Sequence, residues 1–183
     1  MNIAIISGSA RPERQSHQVA LEVQQRITIL GIENWLWDIK ETNLPLLDYT
    51  FDVHPNPGDT LKQLKVKLDQ TDAFVIVSPE HNGSYPGALK NTMDYFYKEY
   101  VHKVFAMVTV SNGVLGGINA LKNLQHYALK INGIVSPEFV ITPQVQNLFK
   151  DGVLTDEKYG HRIDVLLKHF LELAEAVKLI QNK

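Results

Sequence analysis

The sequence has no cysteine among its 183 residues. Disulfides, cysteine-ligated zinc and every mechanism that needs a protein thiolate are therefore excluded. No run approaches the ~18 or more apolar residues of a membrane-spanning helix. The first strand-like stretch begins at Asn2 and leaves no room for a charged leader, so a cytoplasmic protein without membrane attachment is expected. Charge of one sign is not in excess either: 18 Lys and Arg stand against 20 Asp and Glu, a formal net charge of −2. That balance gives no bulk electrostatic reason to expect nucleic acid or an anionic membrane as a partner. Repeats, low-complexity tracts and linkers are missing too. With 44% hydrophobic and 21% charged residues, residues 1–183 read as one globular domain with a sizeable core.

What is present is an alternation of two patterns. Apolar runs occupy Ile3 to Ile6, Trp35 to Ile39, Ala73 to Val77, Val104 to Val110 and, broken by Pro137, Ile134 to Ile141. The runs at Ile3, Ala73 and Val104 are nearly continuous, as strands buried on both faces of a parallel sheet are. Between the runs, apolar residues recur at helical spacing: Val19, Ala20, Val23 and Ile27; Leu61, Leu64 and Leu68; Leu89, Met93 and Phe96; Ile118, Leu121 and Leu124; and Ile163 through Val177. Five strand–helix units of this kind predict an α/β fold, a doubly wound five-stranded parallel sheet with helices on both faces. Trp35 and Trp37, two apart on a strand, fall on one face and are assigned to covering the sheet.

Ligands of such sheets bind beyond the carboxyl ends of the strands. Three loops lie there: Ser7 to Ser16, Ser78 to Tyr85 and Ser111 to Gly117, all rich in Gly, Ser, Asn or Pro. The first runs from a strand into a helix, where unpaired N–H groups and the positive end of the helix dipole favour an anion. Ser9 and Ser16 add hydroxyls and Arg11 a charge, which suits a phosphate. Turn formation and helix capping account for the serines equally well on this loop alone.

Familiar signatures are missing. GxxxxGK[ST] does not occur, and Gly8 has no partners in GxGxxG spacing, so neither a P-loop nor the usual dinucleotide site is supported. The seven histidines, His17, His54, His81, His102, His126, His161 and His169, show no HExxH or other ligand spacing, and no metal site is assigned. GxSxG is absent. A phospho-acceptor receiver would end its first strand in acidic residues, whereas this one ends in Ser7-Gly8.

Gly8-Ser9-Ala10-Arg11 with Ser16, then Pro79-Glu-His-Asn-Gly-Ser-Tyr-Pro-Gly-Ala-Leu-Lys-Asn-Thr-Met-Asp94, then Ser111-Asn-Gly-Val-Leu-Gly-Gly117 occur in this order. Together they resemble the NADPH-dependent FMN reductase family, whose fold is flavodoxin-like. The resemblance implies FMN as bound cofactor and NADPH, with NADH as the alternative, as electron donor. It places Ser9, Arg11 and Ser16 on the FMN phosphate, with His17 and Gln18 continuing that site. Pro79, Glu80, His81, Asn82, Gly83 and Ser84 would line the isoalloxazine, largely through backbone, and Ser111, Asn112 and Gly113 would approach its pyrimidine side. His81 stands where the family has tyrosine, a departure that bears on ring stacking, redox tuning and nicotinamide access.

The activity so implied is an oxidoreductase passing electrons from a nicotinamide cofactor through FMN to a small acceptor such as a quinone, an azo compound or free flavin. No catalytic acid or base is named, because hydride transfer asks chiefly for positioning. Arg14 has two readings, a contact to the 2′-phosphate of NADPH or a solvated side chain. The resemblance also implies a homodimer or homotetramer, with the dense aromatics Tyr95, Phe96, Tyr97 and Tyr100 divided between core and partner surface. The alternative is a flavodoxin-like electron carrier serving a protein partner. Such carriers are usually strongly acidic, and a net charge of −2 speaks against it. A binding protein without redox turnover is the third reading.

Overall fold

The computed structural model describes residues 1–181. Five strands, β1 (Asn2–Ser7), β2 (Glu33–Asp38), β3 (Ala73–Pro79), β4 (Val104–Val110) and β5 (Ile134–Thr142), form a wholly parallel sheet in the order β2-β1-β3-β4-β5. This is the flavodoxin-like order, with its switch point between β1 and β3. Helices α1 (Gln15–Ile29) and α6 (Glu157–Gln181) cover one face; α3 (Asp59–Asp69), α4 (Gly87–Met93) and α5 (Ile118–Lys130) cover the other. A four-residue helix α2 (Ile39–Thr42) follows β2 and leads into the long connection to α3.

Continuous apolar runs became strands because both faces of the sheet need a core. Ile3 and Ile5 of β1, with Val75 and Val77 of β3 and Val104, Ala106 and Val108 of β4, pack beneath α1 and α6. The intervening Ala4, Ile6, Phe74, Ile76, Phe105 and Met107 pack beneath α3, α4 and α5. All of these are essentially without solvent exposure. Each buried Val, Ile or Phe contributes about 1.5–3 kcal/mol, so the sheet is held equally from both sides. Trp35 and Trp37 do share a face, their rings stacked 6.0 Å apart.

Pro137 explains the irregular fifth strand. The β4–β5 register advances from Phe105 opposite Val135 to Met107 opposite Phe139, so β5 carries two extra residues across the stretch holding the proline. Proline cannot donate to the ladder, and a bulge on an edge strand accommodates it. A small hairpin, β6 (Phe149–Lys150) and β7 (Val153–Leu154), was not foreseen. Its Asp151-Gly152 tip has positive φ at both residues, the form in which Asp-Gly closes a two-residue hairpin. Among the described residues no helix is long and apolar enough to cross a membrane.

Candidate functional site

The three Gly- and Ser-rich loops meet at the carboxyl ends of β1, β3 and β4, around a cleft of about 470 Å³. That volume lies in the range of cofactor pockets. A larger groove of about 690 Å³ lies between α1 and α6, away from the strand ends; its Arg26 is already paired with Glu22 and Asp164.

The first loop leaves β1 at Ser7 and is pinned at once, Gly8 N donating to Val77 O at 2.8 Å. A β-carbon on Gly8 would stand 2.9 Å from Leu89 Cδ2 and 3.0 Å from Val77 O, so the loop passes closely between β3 and α4 only because this residue is glycine. Arg14 is the N-cap of α1, and no side chain caps that helix. Ser16, the second helical residue, is 2% exposed, and its Oγ has no hydrogen-bond partner in the protein. Ser9 is equally buried and accepts only a long bond from Arg11 N at 3.4 Å. Capping therefore does not account for Ser16. Arg11 is exposed at the mouth of the cleft.

The second loop is a tight turn. His81 N donates to Ser84 O at 2.7 Å and Ser84 N to His81 O at 3.1 Å, with φ of 50° at Asn82 and 80° at Gly83. Asn-Gly is the dipeptide that adopts two successive positive φ values most readily. Asn123 Nδ2 of α5 donates to Gly83 O at 3.0 Å and fixes the tip. Glu80 does something the sequence did not announce. Its Oε2 accepts from Asn119 N at 2.9 Å and Ala120 N at 3.2 Å, and its Oε1 from Asn119 Nδ2 at 3.1 Å. The carboxylate thus closes the amino end of α5, where Gly117 supplies no side chain, and sits where a helix dipole favours an anion.

The third loop is stitched to the segment after β5: Ser111 N donates to Thr142 O, Val145 N to Ser111 O and Gln144 N to Gly113 O. Ser111 Oγ accepts from Gly113 N at 2.9 Å. The N–H groups of Glu80, His81, Ser111 and Gly113 are thus engaged in shaping the loops. His81 is held below the ordinary histidine pKa of 6.5, by burial first and by the nearby Arg11 charge second, so it is neutral at pH 7.

Of the residues singled out from sequence, Ser9, Arg11, Ser16, Pro79, Glu80, His81, Ser111 and Asn112 line the cleft together. Asn82, Gly83, Ser84 and Gly113 belong to the same loops but stand outside its wall, and His17 and Gln18 are also outside it. His17 turns instead to Ser7, its Nδ1 3.0 Å from Ser7 Oγ and 3.6 Å from Asp38 Oδ2. Pro12, Glu13, Gln15, Val110 and Val145 join the wall without having been singled out, and Arg14, read above as a contact to NADPH or a solvated side chain, lines it too. Val145 was the most findable, since it follows the carboxyl end of a strand. Arg14 is neither solvated nor free: it is ion-paired with Asp38 at the end of β2, its side chain only 8% exposed.

The Lys90 to Asp94 half of the second motif is scaffold. Asn91 Nδ2 donates to Pro45 O, and its Oδ1 accepts from Leu47 N, holding the 45–47 segment on α4. Asp94 pairs with Lys90 and accepts from Tyr127 OH at 3.0 Å. Of the four aromatics after it, Tyr95, Phe96 and Tyr100 are core, while Tyr97 is 47% exposed. Among the described residues no group of three or more His, Asp or Glu is placed to hold a metal ion.

The donor set fits FMN. The end of the cleft at the start of α1 offers hydroxyls, arginines and helix N–H groups of the kind a phosphate takes, with a buried hydroxyl that no group of the protein satisfies. The sequence of residues 1–147 matches the model of the NADPH-dependent FMN reductases. An NADPH azoreductase of Bacillus sp. (strain OY1-2) is 28% identical over 181 residues, covering 97% of both chains. An NAD(P)H:quinone oxidoreductase of Solanum tuberosum is 30% identical over 158 residues, covering 82% of this chain and 80% of the other. Among solved structures, the flavoenzyme NAD(P)H:(acceptor) oxidoreductase FerB of Paracoccus denitrificans superposes with a TM-score of 0.75 at 26% identity, over 93% of this chain and 97% of that one. With its fold, its three loops in order and a family match over most of its length, this chain belongs to the NADPH-dependent FMN reductase family.

Proposed function

We propose that FMN lies in the cleft with its phosphate on the Ser9–Ser16 loop and its ring between the Pro79–Ser84 and Ser111–Gly113 loops, and that the small acceptor is a quinone or an azo compound. As a member of its family the chain is an FMN-dependent NAD(P)H oxidoreductase. The orientation rests on one observation: the orphaned hydroxyl of Ser16 belongs to the wall formed by the start of α1, which also holds Ser9, Arg11 and Glu13, and α1 begins there without a side-chain cap. A phosphate supplies an acceptor for that hydroxyl and for the first N–H groups of the helix.

Bound FMN supplies hydride acceptance and onward electron donation. The protein's share is positioning. Ser9, Arg11, Ser16 and the first N–H groups of α1 hold the phosphate. Glu80, by closing α5, and Asn123, by gripping Gly83 O, fix the second loop against α5. That leaves the N–H group of Asn112, in the wall of the cleft, to meet the polar edge of the ring. Neutral His81 lines the same cleft without adding charge. His17 serves from behind, tying the first turn of α1 to Ser7, and Gln18 follows it on the same helix. The quinone and azo acceptors are those named for the two relatives above.

The same proposal has the chain act in the cytoplasm as a single domain and pair as a homodimer, with a homotetramer as the larger alternative. The surface that supports pairing is beside α4, where Leu46, Tyr49, Val53 and Tyr97 are 86%, 49%, 67% and 47% exposed. Exposed apolar side chains gathered on the segments around α4 are what an interface would cover. Light scattering at micromolar concentration checks it, a monomer refuting the dimer.

Reconstitution tests the function. Purified protein mixed with FMN and passed through a desalting column is expected to retain both flavin absorbance bands, and NADPH or NADH to bleach them in a stopped-flow mixer on the catalytic timescale. Quinone or azo dye is then expected to restore the bands. A protein that retains no flavin, or whose flavin neither nucleotide reduces, refutes the assignment.

A further inference from the structure

Of the five buried side-chain polar atoms that lack a protein partner among the described residues, two belong to residues that line the cleft: Ser16 Oγ and Arg14 Nε. The first is part of the expected phosphate loop. The second is not, and its surroundings are unusual for an arginine. Its side chain is 8% exposed, packed at the N-cap of α1, and its Nη2 is ion-paired with Asp38 Oδ2. Asp38 is itself fixed, because its Oδ1 accepts from Lys40 N at 3.0 Å and caps α2. His17 Nδ1, held 3.0 Å from Ser7 Oγ, closes the cluster 3.4 Å from Arg14 Nη2.

A guanidinium has five N–H donors in a rigid fork and no acceptor. Asp38 takes one edge of it. The Nε–H is cut off from solvent with nothing to donate to, an unfavourable state for a buried donor. Ser16 Oγ, two residues on, also lacks a partner, and α1 begins there without a side-chain cap. Both residues line the cleft, and one oxyanion there would accept from both the hydroxyl and the Nε–H. Arg11 differs from Arg14 in kind: it is exposed, so it must be ordered when a ligand arrives, whereas Arg14 is already immobilised.

We propose that Arg14, held in place by Asp38, is a second, preorganised phosphate-recognising arginine of the FMN site, and that this pair makes the cleft select the phosphorylated flavin over riboflavin. The inference rests on FMN occupying the cleft as described above. It removes Arg14 from the 2′-phosphate of NADPH and gives Asp38, which lies on another strand, a positioning role.

The test is the ratio of riboflavin to FMN dissociation constants, from flavin fluorescence titrations of the full-length apoprotein. Riboflavin keeps the ring and loses the phosphate, so the ratio isolates the phosphate contacts. Arg14→Met is expected to weaken FMN on the order of 10- to 100-fold and to leave riboflavin unchanged. Arg14→Lys, which keeps the charge without the Nε–H, is expected to give an intermediate ratio. Asp38→Ala is expected to lower the ratio and Asp38→Asn to restore most of it. Should Arg14→Met not fold, the Lys and Asp38 variants decide. An unchanged ratio in Arg14→Met, or equal loss for both flavins, overturns the inference while tight wild-type FMN binding leaves the cofactor reading standing. A rise in the ratio for Asp38→Ala overturns the positioning role. Failure of the wild-type protein to bind FMN overturns both readings.

Discussion

Replacing Glu80 by alanine removes the acceptor that closes the amino end of α5, and the structure allows the loss to be sized. Three donors lose their partner: Asn119 N, Ala120 N and Asn119 Nδ2, at 2.9, 3.2 and 3.1 Å. Loss of a helix N-cap costs about 0.5–2 kcal/mol, and loss of a carboxylate at the positive end of a helix dipole about 0.3–1 kcal/mol. Two of the three bonds are exposed, so water replaces part of what is lost. The net destabilisation is about 1–2 kcal/mol, which lowers the melting temperature of a chain this size by about 2–8 °C. Glu80→Gln keeps one carbonyl acceptor but turns an amide toward the remaining donors, so its effect falls between wild type and alanine. Thermal melts followed by far-UV circular dichroism, on apoprotein, measure both. If Glu80→Ala melts with the wild type, or if Glu80→Gln is the more damaging of the two, the capping account is wrong and Glu80 faces the flavin instead.

Other outcomes follow from the same geometry. Gly8→Ala drives a β-carbon against Leu89 Cδ2 and Val77 O and is expected to destabilise the fold by about 1–3 kcal/mol, read from urea unfolding midpoints. Arg11→Ala is expected to weaken FMN by about 1–3 kcal/mol, the scale of a lost charge-assisted bond, in a fluorescence titration. His81→Tyr restores the family residue and is expected to leave FMN affinity nearly intact while changing the rate of reduction by NADPH in stopped flow. The pKa values of His17 and His81 are both lowered in the fold, each by burial first and by a neighbouring arginine second, Arg14 and Arg11 respectively. The unfolded chain therefore takes up protons first as pH falls through the ordinary value of 6.5, so their contribution is fully present above that pH and is lost on acidification below it. Urea midpoints across the range from neutral to mildly acidic check the sign; a midpoint that rises on acidification contradicts it.

Much of this molecule is local and therefore legible in the chain. Near-continuous apolar runs at Ile3, Ala73 and Val104 mark strands buried on both faces, and three-to-four spacing marks α1, α3, α5 and α6, because burial on a face imposes the period of the element. The Asn82-Gly83 turn is equally local, since only a few residue types take two positive φ values. Asp151-Gly152 carried the same signal and went unread, the strands on either side being only two residues long. The motif from Pro79 to Asp94 gave the site its address, but not the division of labour within it. That Glu80 caps a helix 39 residues later, that Asn91 clasps a loop 44 residues earlier, and that Arg14 reaches an aspartate 24 residues on are contacts set by strand order. The sequence by itself determined the elements, the doubly wound class and the three loops that build the cleft. Only the tertiary structure decided which side chains face the ligand and which hold the loops, because a hydrogen bond between distant residues exists only once the sheet has placed β1, β2, β3 and β4 side by side and brought their carboxyl ends within bonding distance.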